Sequence, residues 1–515
     1  MLTSFLLLVF FVYSNSILLK RIGAFGCFDD CHTITTAYFM TRGRTIYSEI
    51  FSNHQVLMPV ISYLVQSVIS LDNSLYGLIL VHRLVMMGIS FLLASLLVIR
   101  FRWAGIAFLL LYEPIKFYLF GDRFLAEAII PYLAAYLIGL NWAKYTNQKM
   151  YFKDFMSAAF FTWTIIFLRE PYSLFALFTF LTLVLSRNIR KLAWKPIILF
   201  IALTVVTLIV LPFKDFIDNV FISNIRIIAA REVESKNLLG TGIVDVLFYP
   251  FVILFSKPTT ILGSFQIIMS LIFTTLSFII SIRYKKYFIV LLIWIALAFT
   301  AVRAEPPGEM FFEAFHMLPW HGAFIMAIVS FLSFIVYKEK QNIVTNGIVV
   351  GILMINAYLL FSPRSFFQEN IDTAGEFRNG YSRYQLYSSF ISIISRPSDT
   401  LFIEQWDDII YRQTNLESSY PYALYTLWNK SIPKYDDARI VMFTNNPPDI
   451  YYCSEDMKYD EDELIPNSVI DSYIQLMHDD EKICVFIHKS KFDLTTKDQW
   501  EKAGEMGFTY SLDGS

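Results

Sequence analysis

The sequence predicts an α-helical polytopic membrane protein of about eleven spans, followed by a small C-terminal α/β domain outside the cytoplasm. Three observations predict this. Apolar runs approaching the roughly 20 residues that cross a bilayer recur from the N-terminus to residue 362. Lys and Arg gather in alternate short loops between those runs, the pattern of cytoplasmic loops. After residue 362 charges become frequent and the apolar runs shrink to strand length. Composition agrees: 56% of residues are hydrophobic and 17% charged, against about 25% charged in a soluble domain. The 49 Phe and 30 Tyr are more than one soluble core would hold. A net charge of −2 and the absence of a basic tail argue against a nucleic-acid partner.

In chain order, 3–19 is an apolar run with no basic leader and no small-x-small cleavage site, so it is expected as an uncleaved first span. Further spans are expected at 77–99, 104–120, 124–141, 155–168, 171–186, 196–212, 261–282, 287–302, 316–336 and 344–362. Pro171 and Pro196 mark helix starts. The segments 56–71 and 243–256 are apolar but short or broken and read as interfacial or re-entrant. The basic loops hold Arg100 and Arg102; Lys144, Lys149 and Lys153; Arg187 to Lys195; Arg283 to Lys286; and Lys338 and Lys340. With eleven spans this puts the N-terminus in the cytoplasm. The loops 20–76, 213–260 and 303–315 and the C-terminal domain then share the outer face. The membrane domain is 1–362 and the soluble domain 363–515.

In the tail, 377–395 reads as an amphipathic helix and 400–404, 439–444 and 483–488 as buried strands. The segments 467–480 and 496–508 read as helices. Trp406, Asp407 and Asp408, like 445–449, read as surface turns. Four cysteines stand at 27, 31, 453 and 484. Cys27 and Cys31 suit a disulfide or two thiols, since no second ligand pair follows at zinc-site spacing.

The chemistry points to the stretch from Phe28 to Pro59. Asp29 and Asp30 are vicinal carboxylates about ten residues beyond the first span, able to act as a base with an orienting partner or as metal ligands. A short helix, a turn at Gly43 and a second surface segment follow. Gly43, Tyr47, Glu49, His54 and Pro59 then give the pattern G-x-x-x-Y-x-[DE]-x-x-x-x-H-x-x-x-x-P. An early acidic residue, a helix and this pattern together resemble the GT-C superfamily of membrane glycosyltransferases. Protein O-mannosyltransferases and the bacterial lipid A aminoarabinose transferase are members. Where closer subfamilies carry an H-P-P block, this chain has His54-Gln55-Val56-Leu57-Met58-Pro59.

The resemblance implies a GT-C-like membrane domain and a polyprenyl-phosphate sugar donor. It also implies inverting transfer to a lipid, glycan or protein acceptor on the outer face. The catalytic role falls on Asp29 or Asp30, as base or as ligand of a divalent ion such as Mg or Mn. Asp122, Glu49, His54, Glu309, Glu313 and His316 are candidates for acceptor or metal contacts. Arg123, Arg169 and Arg303 are candidates for the donor phosphate. Glu309, Glu313 and His316 are spaced i, i+4, i+7 on one helix face. The strip 216–230 reads as an interfacial helix able to cover a lipid donor. No P-loop or dinucleotide fingerprint is present. A polysaccharide polymerase or ligase using a lipid-diphosphate oligosaccharide, or a transporter or flippase, are the alternative readings.

Overall fold

The computed structural model describes residues 29–68, 75–185, 194–226, 243–257, 261–303, 314–339, 342–361, 373–404, 407–424, 432–453 and 470–510, with a few isolated positions besides. The expected first span at 3–19, and Glu309, Glu313 and Trp406, lie outside the described residues.

Helices follow the apolar runs closely. They are α1 (Asp29–Thr41), α2 (Leu57–Val68), α3 (Leu75–Phe101), α4 (Trp103–Tyr118), α5 (Ile130–Tyr145), α6 (Phe152–Leu168), α7 (Ser173–Val184) and α8 (Trp194–Val210). After the long loop come α9 (Ile261–Arg283), α10 (Tyr287–Thr300), α11 (Leu318–Glu339) and α12 (Asn342–Phe361). Among the described residues three helices are long and apolar enough to cross a membrane alone: Leu75–Phe101, Ile261–Arg283 and Phe315–Glu339. A fourth span arises if Trp194–Val210 and Phe213–Arg226, bent by 104° at their junction, are counted as one. The chain is an integral membrane protein on this showing. Others are short: α7 has 12 residues, about 18 Å of helix against the roughly 30 Å hydrocarbon core. The expected number of about eleven spans therefore rests on the sequence pattern.

The basic loops meet at one end of the bundle. Arg100 Nε lies 2.8 Å from Asp154 Oδ1, and Arg283 Nη2 lies 3.0 Å from Glu339 Oε1. Lys286 Nζ donates to Tyr145 O at 3.3 Å. The opposite end carries the first loop, 119–129, 169–172, 213–226, Arg303 and 314–317. At the centre stands α5, buried without a break from Ile130 to Ala143, as expected of a helix with no polar face. It packs on α11 so closely that a Cβ on Gly322 would sit 2.6 Å from the Pro131 backbone. Gly322→Ala is therefore expected to cost at least about 1–3 kcal/mol through overpacking. A lowered unfolding midpoint in detergent would register it; an unchanged midpoint would contradict the packing.

After α13 (Thr373–Ile394) the chain forms a six-stranded sheet: β1 (Thr400–Glu404), β2 (Glu417–Ser418), β3 (Ile450–Cys453), β4 (Tyr473–His478), β5 (Glu481–His488) and β6 (Phe508–Tyr510). The strand order is β2-β1-β3-β5-β4-β6. β1 runs parallel to β2 and β3, while β3–β5, β4–β5 and β4–β6 are antiparallel. The expected helix at 377–395 and strands at 400–404 and 483–488 are present, as Thr373–Ile394, Thr400–Glu404 and Glu481–His488. Two expectations are overturned. Residues 439–444 belong to the helix Pro433–Asn445: Pro433 pre-sets its first turn, and Tyr435, Arg439, Met442 and Phe443 recur at helical spacing on its buried face. The expected helix at 467–480 is instead β4, entered through a short 3-10 turn at Ile470–Ser472. Asp479 and Asp480 have φ of 50° and 66°, the paired left-handed geometry of a two-residue hairpin turn. β3 and β5 are further joined by the Cys453–Cys484 disulfide. Cys31 is disulfide-bonded as well.

The C-terminal domain docks on α1 and on the segment that follows it. His32 Nδ1 lies 3.0 Å from Asp408 Oδ2. The Phe39 ring meets Tyr411 edge-on at 5.1 Å, and Phe51 meets Tyr435 at 5.0 Å. Arg44 Nη2 donates to Ser418 O at 2.6 Å, and Phe51 N donates to Ala423 O at 3.3 Å. Asp407 and Asp408, expected in a surface turn, are buried: Asp408 meets His32 across this interface, and Asp407 accepts from the Tyr452 hydroxyl of β3 at 2.5 Å.

Candidate functional site

The motif of the first loop builds a scaffold. Gly43 has φ of +86°, a conformation open to glycine at little cost, and it turns the chain after α1. Glu49 Oε2 accepts the Thr45 N–H at 2.7 Å, and that N–H holds the exposed Glu49 carboxyl below its usual range. Glu49 thus closes a turn. The buried Tyr47 hydroxyl donates to His54 O at 2.9 Å. Asn219 reaches the same loop from the segment after α8, donating to Tyr47 O at 3.1 Å and accepting from Ser52 N at 3.3 Å. The strip expected as an interfacial helix braces the first loop over its described part. Pro59 is buried in the first turn of α2.

This scaffold delivers His54 to a buried polar cluster. Arg169 Nη1 donates to His54 Nδ1, while Arg169 Nε lies 3.0 Å from Glu127 Oε1. His316 Nε2 lies 3.8 Å from the same oxygen. Tyr172 Oη donates to His316 O at 2.9 Å and fixes its backbone. Arg303 and Glu170 stand within electrostatic reach of the group. Five separate segments thus bring two arginines, two glutamates and two imidazoles together. Glu127, Arg169 and His316 are almost wholly removed from solvent. Of the sequence candidates, His54, Arg169, Arg303 and His316 meet here. Glu127 was missed; its one visible signal is a lone acidic residue inside the apolar run FLAEAIIP.

Burial and the neighbouring Arg169 charge push the His54 pKa well below its ordinary value. A His that stays neutral when folded binds fewer protons than in the unfolded chain. Its contribution to stability is full above about pH 6.5 and is lost progressively as pH falls from there toward the folded pKa. The unfolding midpoint is expected to drop between pH 7 and pH 5, and His54→Asn to flatten that slope. An unaltered slope in the variant would remove His54 as the source.

The first-loop carboxylates are placed differently. Asp30, in the first turn of α1, is fully buried, and its Oδ2 accepts from Arg83 Nη2 at 2.8 Å and Nε at 3.2 Å. Beside Arg83, His82 donates from Nδ1 to Leu78 O (2.7 Å) and meets Ser62 Oγ through Nε2 (2.8 Å). Asp29 is the first residue of α1. His32 of the same helix lies within electrostatic reach of His54. Asp122 and Arg123 are buried in the turn before Glu127, where the Arg123 guanidinium sits 4.9 Å from the Phe120 ring centroid. Asp122 Oδ1 has no hydrogen-bond partner among the described residues. No group of three or more His, Cys, Asp or Glu among the described residues is arranged to hold a metal ion. Glu127 faces Arg169, Asp30 faces Arg83, and Glu49 caps its own turn.

No family model matches this chain, and no curated protein matches it. Two solved structures are similar to it over nearly its whole length. One is ArnT from Cupriavidus metallidurans bound to undecaprenyl phosphate, with 11% identity and a TM-score of 0.48, covering 93% of this chain and 97% of that one. The other is ArnT from Cupriavidus metallidurans in the apo state, with 10% identity and a TM-score of 0.49, covering 95% of this chain and 99% of that one.

Proposed function

We propose that this chain is an integral membrane glycosyltransferase. It moves a sugar from a polyprenyl-phosphate carrier to a hydroxyl of a lipid, glycan or protein acceptor at the outer membrane face. The observation that carries this reading is the buried cluster of Glu127, Arg169, His54 and His316 at the loop end of an apolar bundle. Buried ionisable groups at membrane depth are costly and mark sites of chemistry or passage. Cations beside a proton-accepting imidazole suit a leaving phosphate and an attacking hydroxyl.

The acceptor oxygen attacks the anomeric carbon as the bond from that carbon to the phosphate oxygen breaks. The electron pair leaves on the phosphate, and the configuration inverts. Arg169 and Arg303 meet the charge that builds there, with Arg123 nearby in the preceding turn. A first-loop carboxylate, Asp29 or Asp30, takes the acceptor proton. Glu127 holds Arg169 in place, and the neutral His54 keeps a second guanidinium edge aimed into the site. The Cys453–Cys484 disulfide supports an oxidising compartment for the soluble domain, in keeping with an N-terminus in the cytoplasm and a C-terminal domain outside.

The test is transfer by the purified full chain from a panel of labelled polyprenyl-phosphate sugars, with a lipid-diphosphate oligosaccharide alongside. Asp29→Asn and Asp30→Asn run beside wild type, with and without EDTA. Transfer from a monophosphate donor, lost in a folded Asp variant, supports the reading. Loss with EDTA in wild type assigns a divalent ion to the site. Transfer from the diphosphate donor alone replaces the reading with a polymerase or ligase. Silence with every donor overturns it.

A further inference from the structure

The His32–Asp408 pair joins the first-loop helix to the soluble domain, and it is buried on both sides: His32 is 8% exposed and Asp408 2%. Other contacts share the same interface. Phe39 on Tyr411, Phe51 on Tyr435 and the Arg44–Ser418 hydrogen bond hold the two domains together. Arg42 Nη2 adds donations to the Asn415 side-chain Oδ1 and, at 3.2 Å, to Asn415 O on the exposed rim. A buried imidazole–carboxylate pair gives up hydration on both partners and is a poor means of gaining stability. Its geometry does something else. A carboxylate on Nδ1 holds a proton there and sets the orientation of the ring, and Nε2 of a singly protonated ring is an acceptor. The ring so fixed lies two residues beyond Asp30, within electrostatic reach of His54.

We propose that Asp408 is a positioning residue of the transfer site. Through His32 it gives α1 an imidazole that accepts a hydrogen bond from the acceptor hydroxyl and aims that oxygen at the anomeric carbon. No covalent step passes through His32. The soluble domain thus completes the site. This inference rests on the glycosyl-transfer reading.

The experiment compares the full-length wild type with Asp408→Asn, His32→Ala, the double variant and Asn415→Gly. The last removes a rim contact of the same interface and keeps the left-handed backbone at that position (φ 59°). Initial rates over donor and acceptor concentration give kcat and KM, and thermal unfolding is followed on the same samples. Asp408→Asn should lower kcat about 10–100-fold, with donor KM and unfolding midpoint near wild type. The double variant should be no slower than His32→Ala, and Asn415→Gly should keep wild-type kcat. Equal loss in Asp408→Asn and Asn415→Gly, tracking the unfolding midpoint, would reduce Asp408 to a docking contact and overturn the proposal. So would independent, multiplying losses in the double variant. A wild type silent with every donor would instead remove the transfer reading itself, and the inference with it.

Discussion

Arg169→Gln is expected to lower sugar transfer by about 10²–10³-fold, the usual loss when a preorganised donor to developing charge is removed. The residue serves two neighbours: its Nε faces Glu127 at 3.0 Å, and its Nη1 meets His54. Its removal also strands the Glu127 carboxylate in a buried site, which costs about 3–5 kcal/mol. Lost activity alone would therefore be ambiguous. Arg169→Gln with Glu127→Gln separates the effects, because the double variant carries no stranded charge. It should unfold near the wild-type midpoint and still fail to transfer. Arg169→Lys should restore little, since an ammonium cannot span two partners as the guanidinium fork does. Transfer within about threefold of wild type in a folded Arg169→Gln protein would contradict the placement of the leaving phosphate, since the loss expected there is far larger.

The second large effect concerns Asp30 and Arg83, which are both fully buried and hydrogen-bonded at 2.8 and 3.2 Å. Breaking this pair from one side leaves a buried charge, so Asp30→Asn is expected to cost about 3–5 kcal/mol. Asp30→Asn with Arg83→Gln should recover much of that, as the two losses share one interaction. If the double variant regains both stability and transfer, Asp30 anchors α1 and Asp29 carries the proton. If stability returns without transfer, Asp30 carries it. An Asp30→Asn protein as stable as wild type would mean that the pair is not formed as described.

The helices after the first expected span were legible because each needed only a local apolar run, and the paired loop charges marked one end of the bundle. The first-loop motif was legible as spacing, yet its members do unlike work. Tyr47 and Glu49 shape the loop, whereas His54 enters the cluster. Glu127 was not legible, because its meaning comes from Arg169, 42 positions along the sequence, and no periodicity encodes that pairing. The C-terminal domain misled where local signals conflicted. RIVMFT has β-branched, apolar character, but the buried face set by Tyr435, Arg439 and Phe443 decides for helix. Asp479-Asp480 looked like the tail of a helix, and only the left-handed geometry of both residues identifies the hairpin. Buried Asp408 looked like a turn residue because its cover comes from another domain.

The separation of His32 from Asp408 is 376 positions. At about 5–20 residues per second, ribosomal synthesis needs roughly 20–75 s to produce the second after the first. Through that interval α1 has emerged without the surface that finally covers it. Maturation therefore has a fixed order: the bundle is made first, the tail folds after it, and only then is the loop closed over. A truncated or stalled chain would carry every helix of the bundle and still lack a finished first loop. Completion of the polypeptide would in this way act as the licence for its chemistry.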